Sequence, residues 1–323
     1  MLNYNIKMHN SPNDIPGMIE SIEQEMLIEL AETVKLDKND LIIEFGSFFG
    51  RSTYCLASGL KYNRSSSPSN KIIAFDSFMC RKDGSFYPHV MNCAKLGKVE
   101  KLIKYENNDI DFESIFKHFL NNEITNNLVK VEKVELKNTY PIENSNIALM
   151  HIDSPKFYDE LKYVFFRFFP KLKLGSIIVF QDYFYHWSAT LIAAVQQLKK
   201  LNIISFEYSK ASSLCIKVIK VPTKDDLLFI DNEMKSNNAI IDLLDNSINQ
   251  INEYPIDRES KFVHRLYLAK IQFLWEIRDF EEATFILSNI FKNNKSLSQN
   301  FVDDYLELMK YGFSIRSLYI KDH

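Results

Sequence analysis

The sequence predicts an α/β fold, a doubly wound and mostly parallel sheet of seven strands with a C-terminal all-helical extension. Three observations predict it. Short apolar runs alternate with helical stretches from residue 18 to 219, and the first run ends at a glycine-bracketed loop that opens a helix. After Pro222 no strand-like run recurs, while helical periodicity continues. A chain of 323 residues is long enough for about two domains. The expected division is 1–222 for the sheet domain, N-terminal helices 1–40 included, and 223–323 for the helical extension.

Each element has a local reason. Met18–Val34 places Met18, Ile22, Met26, Leu30 and Ala31 at helical spacing, and Leu41–Phe45 is a buried-strand run. Ser52–Leu60 reads as a helix, the serine-rich 61–70 as a loop, and Lys71–Asp76 as the second strand. Leu128–Val134, Ile147–Asp153 and Ser176–Phe180 are the next strands. The helix Tyr158–Phe169 separates the last two, and its Val164, Phe165, Phe168 and Phe169 fall on one face as a buried stripe. Ala189–Lys200 reads as a helix, and Ser205–Tyr208 with Leu214–Ile219 as a closing antiparallel pair. In the extension, Phe262–Ile277 and Phe280–Phe291 pair as one helical hairpin like a single tetratricopeptide unit, with Ala269 and Ala283 at the close approach.

Composition excludes several classes. Hydrophobic residues at 46% and charged residues at 25% are ordinary for a soluble globular protein. A net charge of -3, with Lys and Arg dispersed, gives no electrostatic case for nucleic acid or an anionic membrane. Apolar runs such as Ile147–Met150 fall far short of the roughly 20 residues that a membrane span needs. Met1–Ser11 lacks a secretory pattern, and Cys55, Cys80, Cys93 and Cys215 show no CxxC spacing. A reduced, cytoplasmic protein is the expectation.

The chemistry concentrates at strand ends. Glu44-Phe45-Gly46-Ser47-Phe48-Phe49-Gly50-Arg51-Ser52-Thr53 joins the first strand to a helix. Its glycines permit a tight turn and close approach, and the helix start offers N–H groups to an anion. With only eight glycines in the chain, two in one turn are informative. Asp76, about 30 residues beyond in Phe75-Asp76-Ser77-Phe78, is placed to accept ribose hydroxyls. Asp153 and Asp182 end the fourth and fifth strands, at the edge where ligands bind in open α/β sheets. His186, in Tyr183-Phe184-Tyr185-His186-Trp187, follows the fifth strand and is a candidate general base. His151 lies within a strand and reads as a hydrogen-bonded core group; His89 and His264 read as non-catalytic.

Taken together with His151-Ile152-Asp153-Ser154 and Gly175–Tyr183, these motifs resemble class I S-adenosylmethionine-dependent methyltransferases, and among them the macrocin O-methyltransferase type that modifies natural-product sugars. The resemblance covers roughly residues 15–220 and implies a Rossmann-like sheet. Carried over, Glu44, Gly46, Ser47, Gly50 and Ser52 would hold the methionine portion of the cofactor, and Asp76, with Ser77 beside it, the ribose. Relatives hold a divalent cation such as Mg²⁺ at the strand-end acids, which implies Asp153, Gln181 and Asp182 as ligands. Gln181 stands where the pattern has a second aspartate, and Val134-Glu135 where it has a Gly-acid pair near the adenine. The implied reaction is methyl transfer to a hydroxyl of a sugar or other polyhydroxylated small molecule, with Asp153, Asp182 and His186 as catalytic residues. A second copy of the chain is a candidate partner through the helical extension. A non-catalytic interaction protein with a degenerate pocket, or another nucleotide-binding enzyme on the same sheet, stays open.

Overall fold

The structure, a computed structural model, describes residues 11–250, 263–293 and 299–311. The chain forms two compact units, Met1–Glu135 and Leu136–His323.

In the first unit, helix α1 (Ser21–Thr33) opens where Glu23 Oε2 accepts the Glu20 N–H at 3.0 Å, and strand β1 (Leu41–Phe45) is buried throughout. Helix α2 (Arg51–Tyr62) packs on α1. Strand β2 (Lys71–Asp76) runs parallel to β1, with Ile43 opposite Ile73. Between β2 and the edge strand lies a region in which the sequence suggested no strands. There β3 (Met79–Arg81), β4 (Lys104–Glu106) and β5 (Asp109–Asp111) form a small antiparallel sheet in the order β3-β5-β4. Three-residue strands are too short to show a period, which is why they escape sequence reading. Helices α3 (Tyr87–Gly97), α4 (Glu113–Phe119) and α5 (Asn121–Thr125) complete the insertion. Strand β6 (Val129–Lys133) then runs parallel to β2, and Lys133 Nζ reaches Asp111 Oδ2 at 2.8 Å.

Gly59 sets the α1–α2 packing. A Cβ there would lie 2.1 Å from the Ile28 carbonyl oxygen and 2.8 Å from Ala31 Cβ. Gly59→Ala should therefore cost about 3 kcal/mol by overpacking, against about 1 kcal/mol of gained helix propensity. A thermal melt should show the midpoint about 4–8 °C lower; an unchanged midpoint would mean the two helices separate freely.

In the second unit, β7 (Ile147–Ile152) is fully buried and β8 (Leu172–Phe180) runs parallel to it. Strand β8 begins four residues earlier than the apolar pattern suggested, because Gly175 (φ +84°) carries the strand past a register shift. Between them, α6 (Tyr158–Phe168) buries Val164, Phe165 and Phe168 completely, and Phe169 follows them, as the helical stripe predicts. Helix α7 (Ala189–Lys200) leads to the antiparallel strands β9 (Ile204–Lys210) and β10 (Ser213–Val218). The seven-stranded sheet has the order β6-β2-β1-β7-β8-β10-β9.

Every described element beyond Val218 is a helix. α8 (Lys224–Glu233), capped by Thr223, packs on α6 and α7, and α9 (Asn237–Asn249) packs on α7. That cover explains why α7 is apolar nearly all round, Leu191 to Val195 being buried. α10 (Val263–Glu276) and α11 (Phe280–Asn293) pair as a hairpin, and α12 (Gln299–Tyr311) packs on α10. Leu268, Ile271, Leu274, Ala283 and Leu308 form their core. Phe262, the expected first residue of the hairpin, lies outside the described residues. No described helix is long and apolar enough to cross a membrane.

Candidate functional site

In the first unit the loop after β1 winds through the left-handed region three times, at Gly46 (φ +85°), Phe48 (φ +50°) and Gly50 (φ +97°). The Gly46 N–H donates to the Phe75 carbonyl at 3.0 Å, and the Gly50 N–H to the Ser47 carbonyl at 2.8 Å. Gly50 serves packing: the place of its Cβ lies 2.2 Å from Leu120 Cδ2. No side chain among the described residues caps the start of α2 at Gly50, so its first-turn N–H groups suit an anionic ligand.

Asp76 is joined to this loop directly. Its Oδ2 accepts the Phe48 N–H at 2.8 Å and its Oδ1 the Phe78 N–H at 2.6 Å. A carboxylate offers about four acceptor positions, so hydroxyl donors can still be received. Ser77 Oγ accepts the Met79 N–H at 3.4 Å. Glu44 is fully buried and accepts from Thr53 Oγ1 in α2. Ser52 is buried in the first turn of α2, and the Ser47 hydroxyl is buried in the loop without a hydrogen-bond partner among the described residues. A turn rich in left-handed residues, an uncapped helix start and an orphaned hydroxyl fit a polar, anionic cofactor end. Arg51, the first residue of α2, spends its guanidinium elsewhere: Nε donates to the Ile15 carbonyl at 2.6 Å, tying the N-terminal segment to the helix.

In the second unit, Asp153 and Asp182 are brought together by a residue that sequence reasoning missed. Lys156 Nζ lies 2.5 Å from Asp153 Oδ1 and 2.8 Å from Asp182 Oδ2. Ser212 Oγ donates to Asp182 Oδ1 at 2.9 Å, and Ser188 Oγ to the Asp182 carbonyl at 2.7 Å. Burial works to raise the Asp182 carboxyl, but Lys156 and Ser212 outweigh it and hold it below the ordinary value. Lys156 is likewise raised: burial opposes its charge, and the two carboxylates override that. The spacing Asp153-Ser154-Pro155-Lys156 hides the pairing, since a three-residue offset signals contact only on a helix and Pro155 points to a loop.

The expected metal ligands do not fit a divalent cation as they stand. The ammonium of Lys156 already occupies the position between the carboxylates that a cation would need. The Gln181 amide oxygen accepts from Ser213 Oγ at 2.9 Å, with His151 Nε2 at 3.4 Å. No group of three or more His, Cys, Asp or Glu among the described residues is arranged to hold a metal.

His186 is fully buried, and neither ring nitrogen has a hydrogen-bond partner among the described residues. Burial pushes its pKa down to about 4, with Asp304 opposing and Arg265 assisting the shift. It is neutral near pH 7 and weakly basic. His89 is exposed beside Phe86, while His264 pairs with Asp304 at 2.9 Å.

Residues 43–183, which begin within β1 and include Asp76, β7, Asp153 and Asp182, match the family model described as a methyltransferase domain. No curated protein sequence matches the chain. Among solved structures the chain is similar to the O-methyltransferase NovP, with 16% identity, 64% of this chain and 83% of that one covered, and a TM-score of 0.46. It is similar to CalS11, a TDP-rhamnose 3'-O-methyltransferase of calicheamicin biosynthesis, with 19% identity, 60% and 76% covered, and a TM-score of 0.38. A Bacillus cereus O-methyltransferase in complex with SAH shows 12% identity, 64% and 86% covered, and a TM-score of 0.39. From the domain match, residues 43–183 carry a methyltransferase domain, the assignment to which the strand-end motifs also point.

Proposed function

We propose that this methyltransferase acts on oxygen, methylating a hydroxyl of a sugar or other polyhydroxylated small molecule. When bound, the cofactor supplies a methyl group on a sulfonium. Glu44, Gly46, Ser47, Gly50 and Ser52 are assigned to its methionine end, and Asp76 with Ser77 to its ribose. Asp153 and Asp182 are assigned to the acceptor hydroxyl, which must lose a proton as its oxygen gains the methyl group.

The observation that carries the oxygen reading is the Asp153–Lys156–Asp182 cluster. Two carboxylates held by one ammonium offer hydrogen-bond acceptors to a hydroxyl, and one of them can take its proton. Most of the rate would come from alignment of donor and acceptor. Lys156 supplies in this reading the positive charge that the motif resemblance assigns to Mg²⁺, so transfer needs no added metal. His186, neutral and buried with its pKa pushed down to about 4, is a weak proton acceptor. The acceptor class rests on the motif likeness of residues 15–220. A cytoplasmic setting is supported by Cys55, Cys93 and Cys215, all buried thiols.

Calorimetry and methyl-label transfer test the proposal. S-adenosylmethionine should bind in the micromolar range typical of metabolite sites, and NAD should not. Label should pass to hydroxyl-bearing acceptors from a glycoside panel at the same rate in excess EDTA, and His186→Ala should keep at least a tenth of that rate. Transfer to amines alone would overturn the oxygen assignment. Activity abolished by EDTA would return the carboxylates to a metal, and a loss beyond a hundredfold in His186→Ala would give the proton to the imidazole.

A further inference from the structure

The loop that follows β8 is held from an unexpected direction. Its turn is closed internally by the Ser188 N–H on the Tyr185 carbonyl at 3.1 Å, and it is tied to the turn between β9 and β10 by the Phe184 N–H on the Ser212 carbonyl at 3.0 Å. Tyr185 and Trp187 stack with ring centroids 3.8 Å apart, both half-buried. On α10, the Arg265 guanidinium lies 4.6 Å from the Tyr185 ring centroid, and its Nη1 donates to the Phe184 carbonyl at 3.4 Å. The same guanidinium is gripped by Asp304 of α12, Nε to Oδ2 at 2.8 Å and Nη2 to Oδ1 at 3.1 Å. His264 Nε2 adds a third contact to Asp304 at 2.9 Å.

We propose that Arg265 is a positioning residue through which the C-terminal helices fix the Tyr185–Trp187 stack and so shape the acceptor side of this methyltransferase. The inference rests on reading the loop after β8 as acceptor-facing. Geometry supports it in three ways. The fork of an arginine is planar, and here one edge is used by Asp304 while the face covers Tyr185, which a lysine cannot do at once. Asp304 lies on a different helix from Arg265, so α10 and α12 must both be in place for the guanidinium to keep its orientation. Finally, Arg265 also contributes to the field at Asp182, so the same group bears on the carboxylate cluster. The extension is on this view part of the acceptor machinery and has no part in cofactor binding.

The chain has two tryptophans, Trp187 and Trp275, so a Trp275→Phe background makes Trp187 a unique fluorophore. In that background Arg265→Ala should raise the acrylamide quenching constant of Trp187 about two- to threefold. Arg265→Lys, which keeps the charge but not the fork, should fall between. S-adenosylhomocysteine affinity by calorimetry should stay within twofold of the parent in both. Should Arg265→Ala not fold, by circular dichroism, then Arg265→Lys and Asp304→Asn carry the same test. Unchanged quenching in the folded variants overturns the proposal, and so does quenching that rises only together with loss of cofactor affinity. Failure of the parent protein to bind S-adenosylhomocysteine would instead overturn the cofactor-site reading, and the quenching comparison would still report on Arg265.

Discussion

Asp76→Asn is expected to weaken S-adenosylhomocysteine binding by at least about 30-fold. The carboxylate accepts one backbone N–H from Phe48 in the glycine loop and one from Phe78. An asparagine keeps one acceptor and turns the other into an NH₂ group facing a backbone N–H. The lost charge-assisted bond is worth roughly 1.5–3 kcal/mol, and about 2 kcal/mol corresponds to some 30-fold in affinity. The loss exceeds what ribose contacts alone would give, because Phe48 sits at φ +50° and its loop loses the anchor that keeps it there. Calorimetry reads the effect directly. A change below threefold would show that neither the loop nor the ribose depends on Asp76.

Lys156→Met should be the most destabilising change in the second unit, by about 2–4 kcal/mol at pH 7. Removing one partner of a buried ionic cluster leaves uncompensated charge, which costs about 3–5 kcal/mol when burial is complete. The side chains here retain 17% exposure at Lys156 and 24–27% at the two aspartates, which reduces it. The sign with pH follows from Asp182, whose folded value is lowered. In the parent it contributes stability above about pH 4 that is lost as pH falls through the lowered value. In Lys156→Met the two carboxylates repel and take up protons more readily, so the deficit is widest near pH 7 and has narrowed by pH 4. Urea denaturation at pH 7 and pH 4 measures it. Millimolar Mg²⁺ should restore part of the lost stability in the variant and leave the parent unchanged. An equal deficit at both pH values would place the effect in packing and not in charge.

Both predictions concern residues with a partner distant in sequence, Phe48 for Asp76 and Asp182 for Lys156, and the same property separates what was legible from what was not. The buried stripe of α6, the glycine loop before α2 and the acid ending β2 were readable because each depends on neighbours within one or two turns of chain. The insertion between β2 and β6 was not: its strands are three residues long, and it is held by contacts such as Lys133–Asp111 across 22 positions. Gly50 was read as making room for a ligand or for the helix on its strand, whereas Leu120, seventy positions on, fills the place of its Cβ.

Sequence alone determined the alternation of strands and helices, the helical character of the described residues beyond Pro222 and the positions of Glu44, Asp76, Asp153 and Asp182 at strand ends, since hydrophobic period and glycine placement are local properties. Tertiary structure alone decided what those acids touch. It set Asp76 against the Phe48 N–H, put the ammonium of Lys156 between Asp153 and Asp182, turned the Gln181 amide to Ser213, and buried His186 without a hydrogen-bond partner among the described residues. A charged or polar side chain removed from water must find a partner wherever the fold brings one, and that partner is chosen by proximity in space, which no periodicity along the chain encodes.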